Sequence, residues 1–139
     1  MTAEDCIFCK IVNNKISAHK VYEDEHVLAF LDINPINDGH TLVIPKRHCE
    51  DFLHLEEKEI NSLMQVVQKV AKAVKKATNA DGINIGMNIG RAAGQVIFHA
   101  HIHIIPRFEN DGYKHWQRLH KEKPKFEEIA KKIREALQQ

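Results

Sequence analysis

Across residues 55–78 the apolar positions Ile60, Leu63, Met64, Val67, Val70, Ala71 and Val74 recur at three- and four-residue steps. That period predicts a long amphipathic helix, and its apolar stripe has to be buried against another element. The segments around it read as short strands. Val21 and Tyr22 and the run Val-Leu-Ala-Phe-Leu over 27–31 flank Glu23-Asp-Glu-His26 as a hairpin. His40-Thr-Leu-Val-Ile44 is a strand ended by Pro45. Residues 82–88 alternate small or polar residues with Ile83, Ile85 and Met87, and residues 96–106 form the next strand. Residues 32–39 are dense in turn formers, Asn79-Ala-Asp-Gly82 stops the helix, Gly90-Arg-Ala-Ala-Gly94 is a glycine-flanked loop, and Glu109-Asn-Asp-Gly112 turns the chain. A short helical turn is expected over 6–13, and a second helix over 126–137 with Pro124 near its start. Strands in runs beside one long helix predict an α+β fold around a mostly antiparallel sheet.

The chain of 139 residues reads as one domain over 1–139, with a core at 6–107 and a helical extension at 108–139. A net charge of +1 leaves no basic excess of the kind that drives nucleic-acid binding. No apolar run spans a membrane, and the start Met-Thr-Ala-Glu-Asp is acidic and polar, unlike a signal peptide. A cytoplasmic protein is therefore expected. In a reducing compartment its three cysteines read as ligands or inert thiols.

The run His99-Ala-His-Ile-His-Ile104 is the chemical feature of the chain. On a strand, positions two apart share a face, so His99, His101 and His103 project together while Ala100, Ile102 and Ile104 turn to a core. Three readings follow. Isolated surface histidines are common, but strict alternation with apolar partners argues against that reading. A three-histidine metal site suits the spacing. Covalent catalysis is the third, because imidazole displaces a leaving group at phosphorus and the adduct is then hydrolysed. The glycine loop just before the run favours the third, since such loops aim backbone N–H groups at phosphate oxygens.

The segment Gly94-Gln-Val-Ile-Phe-His-Ala-His-Ile-His-Ile-Ile-Pro106 resembles the signature of the histidine triad superfamily. Cys6-Ile-Phe-Cys-Lys-Ile11, Tyr22-Glu-Asp-Glu25, Leu28-Ala-Phe-Leu-Asp-Ile33 and Gly39-His-Thr-Leu-Val-Ile-Pro-Lys-Arg-His48 resemble its other blocks, in order, so the likeness covers most of the chain. It is nearest to compact prokaryotic members of the nucleotide-hydrolysing branch.

The resemblance implies a reaction at the α-phosphate of a purine nucleotide derivative through a covalent nucleotidyl-histidine. By that likeness His101 is the nucleophile, His103 binds phosphate, and His40 is a further active-site histidine. Asn88 matches the contact to phosphate or leaving group, and Gly94, Gln95 and the Val96 amide match the phosphate cradle. A serine stands at the Val96 position in the eukaryotic phosphoramidase members, so a hydroxyl donor is absent here. Asp32 matches the carboxylate that accepts from the ribose diol, although from residues alone it reads as a turn aspartate before Asn34-Pro35. Phe8, Ile11, Phe30 and Leu42 match an apolar slot for the purine, with core packing as the plain alternative. Cleavage of dinucleoside polyphosphates, nucleotidyl transfer and a non-enzymatic nucleotide-sensing adaptor are the rival functions. Asn88 rather than Gln leans toward phosphoramidates.

Cys6-Ile-Phe-Cys9 is a redox pair or half of a metal site, and no second C-x-x-C exists to make a four-cysteine site. In zinc-bearing members of the superfamily, residues matching His48 and His99 complete such a pair. A closed Cys₂His₂ set implies structural zinc; vestigial cysteines are the alternative. Cys49 has no assigned role. The resemblance also implies a homodimer that joins sheets and long helices; charge and hydropathy add the expectation of no nucleic-acid or membrane partner.

Overall fold

A computed structural model describes residues 3–118 and 125–139. Five strands form one antiparallel sheet in the order β1-β2-β3-β5-β4. They are β1 (Lys20–Glu23), β2 (Val27–Leu31), β3 (Thr41–Pro45), β4 (Gly82–Gly86) and β5 (Ile102–Arg107). Three helices accompany them: α1 (Ile7–Val12), α2 (Glu57–Thr78) and α3 (Phe126–Leu137). The α+β architecture is the one the sequence predicts. Pro124 lies outside the described residues.

Helix α2 starts with a capping box. The Glu59 carboxylate accepts from the Glu56 amide at 3.1 Å while the Glu56 side chain accepts from the first turn. It ends at Asn79, whose left-handed φ of 54° stops it. Its stripe Leu63, Val66, Val67, Val70, Ala71 and Val74 packs on Val27, Ala29, Val43, Ile102 and Ile104 of the sheet. The predicted stripe shifts slightly: Val66 is buried, and Met64 faces out. On the opposite face Cys6, Phe8, Cys9 and Ile11 pack on Leu28, Phe30, Leu42 and Ile44. Strands β2 and β3 are thus covered on both sides, which is why they read as continuous apolar runs.

Register aligns the α1-side row. Phe30 lies opposite Leu42, Leu42 opposite His103, and His103 opposite Gly86. Two apolar side chains, one imidazole and one residue without a side chain therefore stand in line across the sheet.

The strand expected over 96–106 starts only at Ile102. Its ladders end at Val43↔Ile102 on β3 and at Gly86↔His103 on β4, so the preceding residues have no strand to pair with. Instead the Ala100 amide donates to the Cys49 carbonyl at 2.7 Å. Only one of the three histidines, His103, sits on a strand. No residue of α3 is buried, and Phe126, Ile129, Ile133 and Leu137 make an exposed apolar stripe on it.

Gly39 sits directly before His40 at φ +97°, and a Cβ there would lie 2.7 Å from Thr78 Cγ2. The backbone conformation alone costs a side chain about 1–2 kcal/mol. Gly39→Ala is expected to lower the unfolding free energy by at least that amount in urea titration; an unchanged midpoint would contradict the packing described.

Candidate nucleotide and metal site

His99 lies fully buried at the junction of two clusters. Its Nε2–H donates to the Pro45 carbonyl at 2.8 Å, which leaves Nδ1 with a lone pair. That lone pair lies 3.4 Å from Cys6 Sγ and 3.5 Å from Cys9 Sγ. His48 Nδ1 lies 3.4 Å from Cys9 Sγ. The four donor atoms are all within 4.8 Å of one another. Burial, with Cys6 alongside, pushes the metal-free Cys9 thiol up to about 11, and burial pulls His99 down to about 4. Two thiols and two imidazole nitrogens converging in this way are a donor set that can hold a metal ion.

The second cluster begins at the His99 backbone. His101 Nδ1–H donates to the His99 carbonyl at 2.6 Å, so the tautomer is fixed and the Nε2 lone pair is left available. Phe8 stands edge-on to the rings of both His99 and His101, at 5.9 and 5.2 Å. The His101 and His103 rings are 5.1 Å apart. The histidines thus share one side of the sheet through a backbone bend rather than through strand alternation. Burial lowers the pKa of His101, opposed by its hydrogen bond and by Asp32.

His40, almost fully buried, brings its Nε2 to 2.9 Å from His103 Nδ1 and 3.6 Å from Asp32 Oδ2. The Asp32 amide donates to the His40 carbonyl at 2.9 Å, and Asp32 Oδ1 accepts from the Asn34 amide. The loop between β2 and β3 thereby holds its two ends together. It is pinned to β5 by Asn37, which donates to the Pro106 carbonyl and to Asp111, whose carboxylate also accepts from Arg107 and the Phe108 amide. Sequence reasoning missed this clamp; Asn37 and Asp111 looked like ordinary turn residues.

Phe8, Ile11, Phe30 and Leu42 are buried in one cluster, with Phe8 edge-on to Phe30 at 5.4 Å. They lie on the same side as the histidines. Asn88 donates to the Gly94 carbonyl at 3.4 Å, and both line an open groove of about 700 Å³ that includes His103 and Gly86. The glycine loop folds on itself. The Gly94 amide donates to Arg91 and the Gln95 amide to Gly90. The Gln95 side chain, buried, donates to Glu50 and Ile97 carbonyls and accepts from the Gly90 amide. The Gln95 side chain thus shapes the loop and does not face outward. The Val96 amide has no partner among the described residues, and the Val96 side chain is exposed. Cys49 is buried beside the metal-type cluster, its thiol 3.5 Å from the Asp51 carbonyl.

Burial, with His101 and His40 nearby, pulls His103 down to about 4, against a reference of 6.5. A pKa depressed by folding contributes stability that is complete above 6.5 and is lost as pH falls toward 4, because unfolding lets the ring take up a proton. Thermal stability is expected to decline over that window, and His103→Gln to flatten the decline in a melting series against pH.

Residues 13–110 match the HIT domain family. The chain belongs to that family. Its fold is shared with a HIT family protein from Bacillus anthracis, at a TM-score of 0.88 and 46% identity, covering 97% of this chain and 99% of that one. An adenylylsulfatase, HINT3, of Arabidopsis thaliana is 45% identical over 77% of this chain and 54% of its own length. A zinc-bound histidine triad family protein from Mycobacterium smegmatis matches at a TM-score of 0.74 and 38% identity, over 98% of this chain and 95% of that one.

Proposed function

We propose that this HIT protein hydrolyses purine nucleotide derivatives at the α-phosphate, with His101 as nucleophile. The observation that carries the reading is the 2.6 Å bond from His101 Nδ1–H to the His99 carbonyl. It commits the free lone pair to Nε2 in a site whose other groups are neutral imidazoles and one carboxylate. His101 Nε2 forms the bond to phosphorus as the bond to the leaving group breaks. The adduct keeps its Nδ1–H on the His99 carbonyl, which stabilises the positive ring. A leaving amine takes a proton from solvent. Water then cleaves the N–P bond, releases the nucleoside monophosphate and returns its proton to solvent.

The other residues bind and orient. His103, Asn88 and the Val96 amide donate to the phosphate oxygens, where charge builds in the transition state. Asp32 accepts from the ribose diol. Phe30 and Leu42, in register with His103, line the base slot with Phe8 and Ile11. The likeness to an adenylylsulfatase supports chemistry at an adenylyl phosphorus; Asn88 supports an amine leaving group. The experiment is hydrolysis of adenylyl sulfate in ¹⁸O-labelled water. The reading requires the label on adenosine monophosphate; label on sulfate would refute attack at phosphorus.

Zinc fits the Cys6, Cys9, His48 and His99 set. With four protein ligands it would supply structural bracing and leave no open position for substrate. Metal binding by this set needs its thiols reduced, the condition of a cytoplasmic setting; no helix among the described residues is long and apolar enough to cross a membrane. A two-fold dimer is supported by the open edge of β4 and by Met64 and Ile85, which are exposed beside Val67, Ala71 and Ile83. Ile85→Asp is expected to shift the protein to monomer in sedimentation velocity; a monomeric wild type would remove this reading.

A further inference from the structure

We propose that His40 is a positioning residue that holds His103 in the one tautomer able to donate to phosphate, through a hydrogen-bond chain that starts at the Ile36 amide. The claim deepens the function proposed above and rests on it for the phosphate. The chain itself does not depend on that reading.

The direction of each bond follows from which atoms carry protons. A backbone amide only donates. The Ile36 amide points at His40 Nδ1 at 3.1 Å, so Nδ1 is the acceptor and carries no proton. In a neutral ring the proton is then on Nε2. That atom has two candidate acceptors. His103 Nδ1 is at 2.9 Å and Asp32 Oδ2 at 3.6 Å, and only the first is within hydrogen-bond reach. His103 Nδ1 therefore accepts, and the proton of the neutral His103 ring is on Nε2. His40 is almost fully buried and burial lowers its pKa, which favours the neutral ring the chain requires.

The consequence is chemical. A neutral imidazole free to choose its tautomer would present either a donor or a lone pair to a phosphate oxygen, and the lone pair repels it. The chain removes that choice without giving the ring a charge. It also ties the donor to the loop before β3. Ile36 lies in the loop that Asp32 opens and Asn37 pins to β5 through the Pro106 carbonyl. A contact at either end of the loop acts on His103 through one amide. His101 is fixed separately, by the His99 carbonyl. The nucleophile and the phosphate donor therefore take their tautomers from different parts of the backbone.

The test compares His40→Leu with His40→Gln. A glutamine carries both an acceptor for the Ile36 amide and an N–H for His103 Nδ1; leucine carries neither. In metal-loaded protein hydrolysing adenosine 5′-phosphoramidate, His40→Leu is expected to lower kcat by roughly 10²-fold, as loss of one transition-state donor does, with KM within a few-fold of wild type. His40→Gln is expected to recover most of that loss. Nitrogen-15 shifts of the free wild-type protein are expected to report His103 as protonated on Nε2 with a bare Nδ1, and the His40→Leu spectrum to move toward the other tautomer. The proposal is overturned if wild-type His103 is protonated on Nδ1, or if leucine and glutamine variants are equally impaired. The shifts are read without substrate, so they stand even if the leucine variant does not fold. They also separate the failures: a correct tautomer with no turnover at phosphorus removes the functional reading and leaves the chain.

Discussion

His101→Ala is expected to reduce kcat/KM for adenosine 5′-phosphoramidate by roughly 10⁴-fold or more, the scale on which removing an activated nucleophile acts. Affinity for adenosine monophosphate should stay within a few-fold of wild type. The split follows from the placement of the binding groups. Phe8, Phe30 and Leu42 lie in the α1-side cluster, Asp32 at the loop before β3, and His103 on β5. Phe8 and His103 meet the His101 ring edge-on, but Phe8 is also packed on Phe30 and His103 is bonded to His40, so the slot and the phosphate contact have holds besides the His101 side chain. His103→Ala should behave differently, lowering both rate and phosphate affinity, because it removes the whole ring of the proposed phosphate contact and not only its preferred tautomer. Calorimetric titration of the monophosphate beside steady-state kinetics checks both. A His101→Ala protein that turns over at the wild-type rate would end the assignment.

Removing metal should cost more than local order. His99 uses its side chain toward Cys6 and Cys9 and its carbonyl toward His101. A metal held there would brace the residue whose carbonyl holds His101, the proposed nucleophile. A site saturated at about 1,000 times its dissociation constant stabilises the fold by about 4 kcal/mol, which corresponds to a melting shift on the order of 10 °C for a chain of this size. Stripping with a strong chelator is therefore expected to lower Tm by that order and to lower kcat, and zinc should restore both. A purified protein that carries no metal and melts unchanged with added zinc would show that the cysteines are vestigial.

Most of the elements are readable from the sequence, and so are the cysteines and histidines that the fold brings together, but not the bonds between them. The period of α2 and the apolar runs of β2 and β3 survive as predicted because burial alone dictates them. The beginning of β5 does not. Nothing in Val96 to His101 reveals that their partners are the Cys49 carbonyl and the Gln95 side chain rather than a neighbouring strand. Strict alternation gave the right face for the histidines by the wrong geometry. Gln95 is the clearest lesson. Its place in the segment that matches the phosphate cradle gives no sign that its side chain ties the loop to Glu50, Ile97 and Gly90. A backbone carbonyl on the other ring nitrogen of His101 is expected from the resemblance, but which carbonyl it is, and what holds His99 and His40, are not readable in the sequence. The tautomers are set by a backbone amide at Ile36 and carbonyls at Pro45 and His99, and every residue carries such groups.

The central claim is that His101 Nε2 bonds covalently to the α-phosphorus. Rapid mixing with adenosine 5′-phosphoramidate, quenching in alkaline denaturant where N–P bonds survive, and mass analysis of the peptides reads it directly. The account predicts one added adenylyl group per chain, on His101, that forms and decays at rates compatible with turnover. An adduct on any other residue, or full turnover with no adduct at any mixing time, would contradict it.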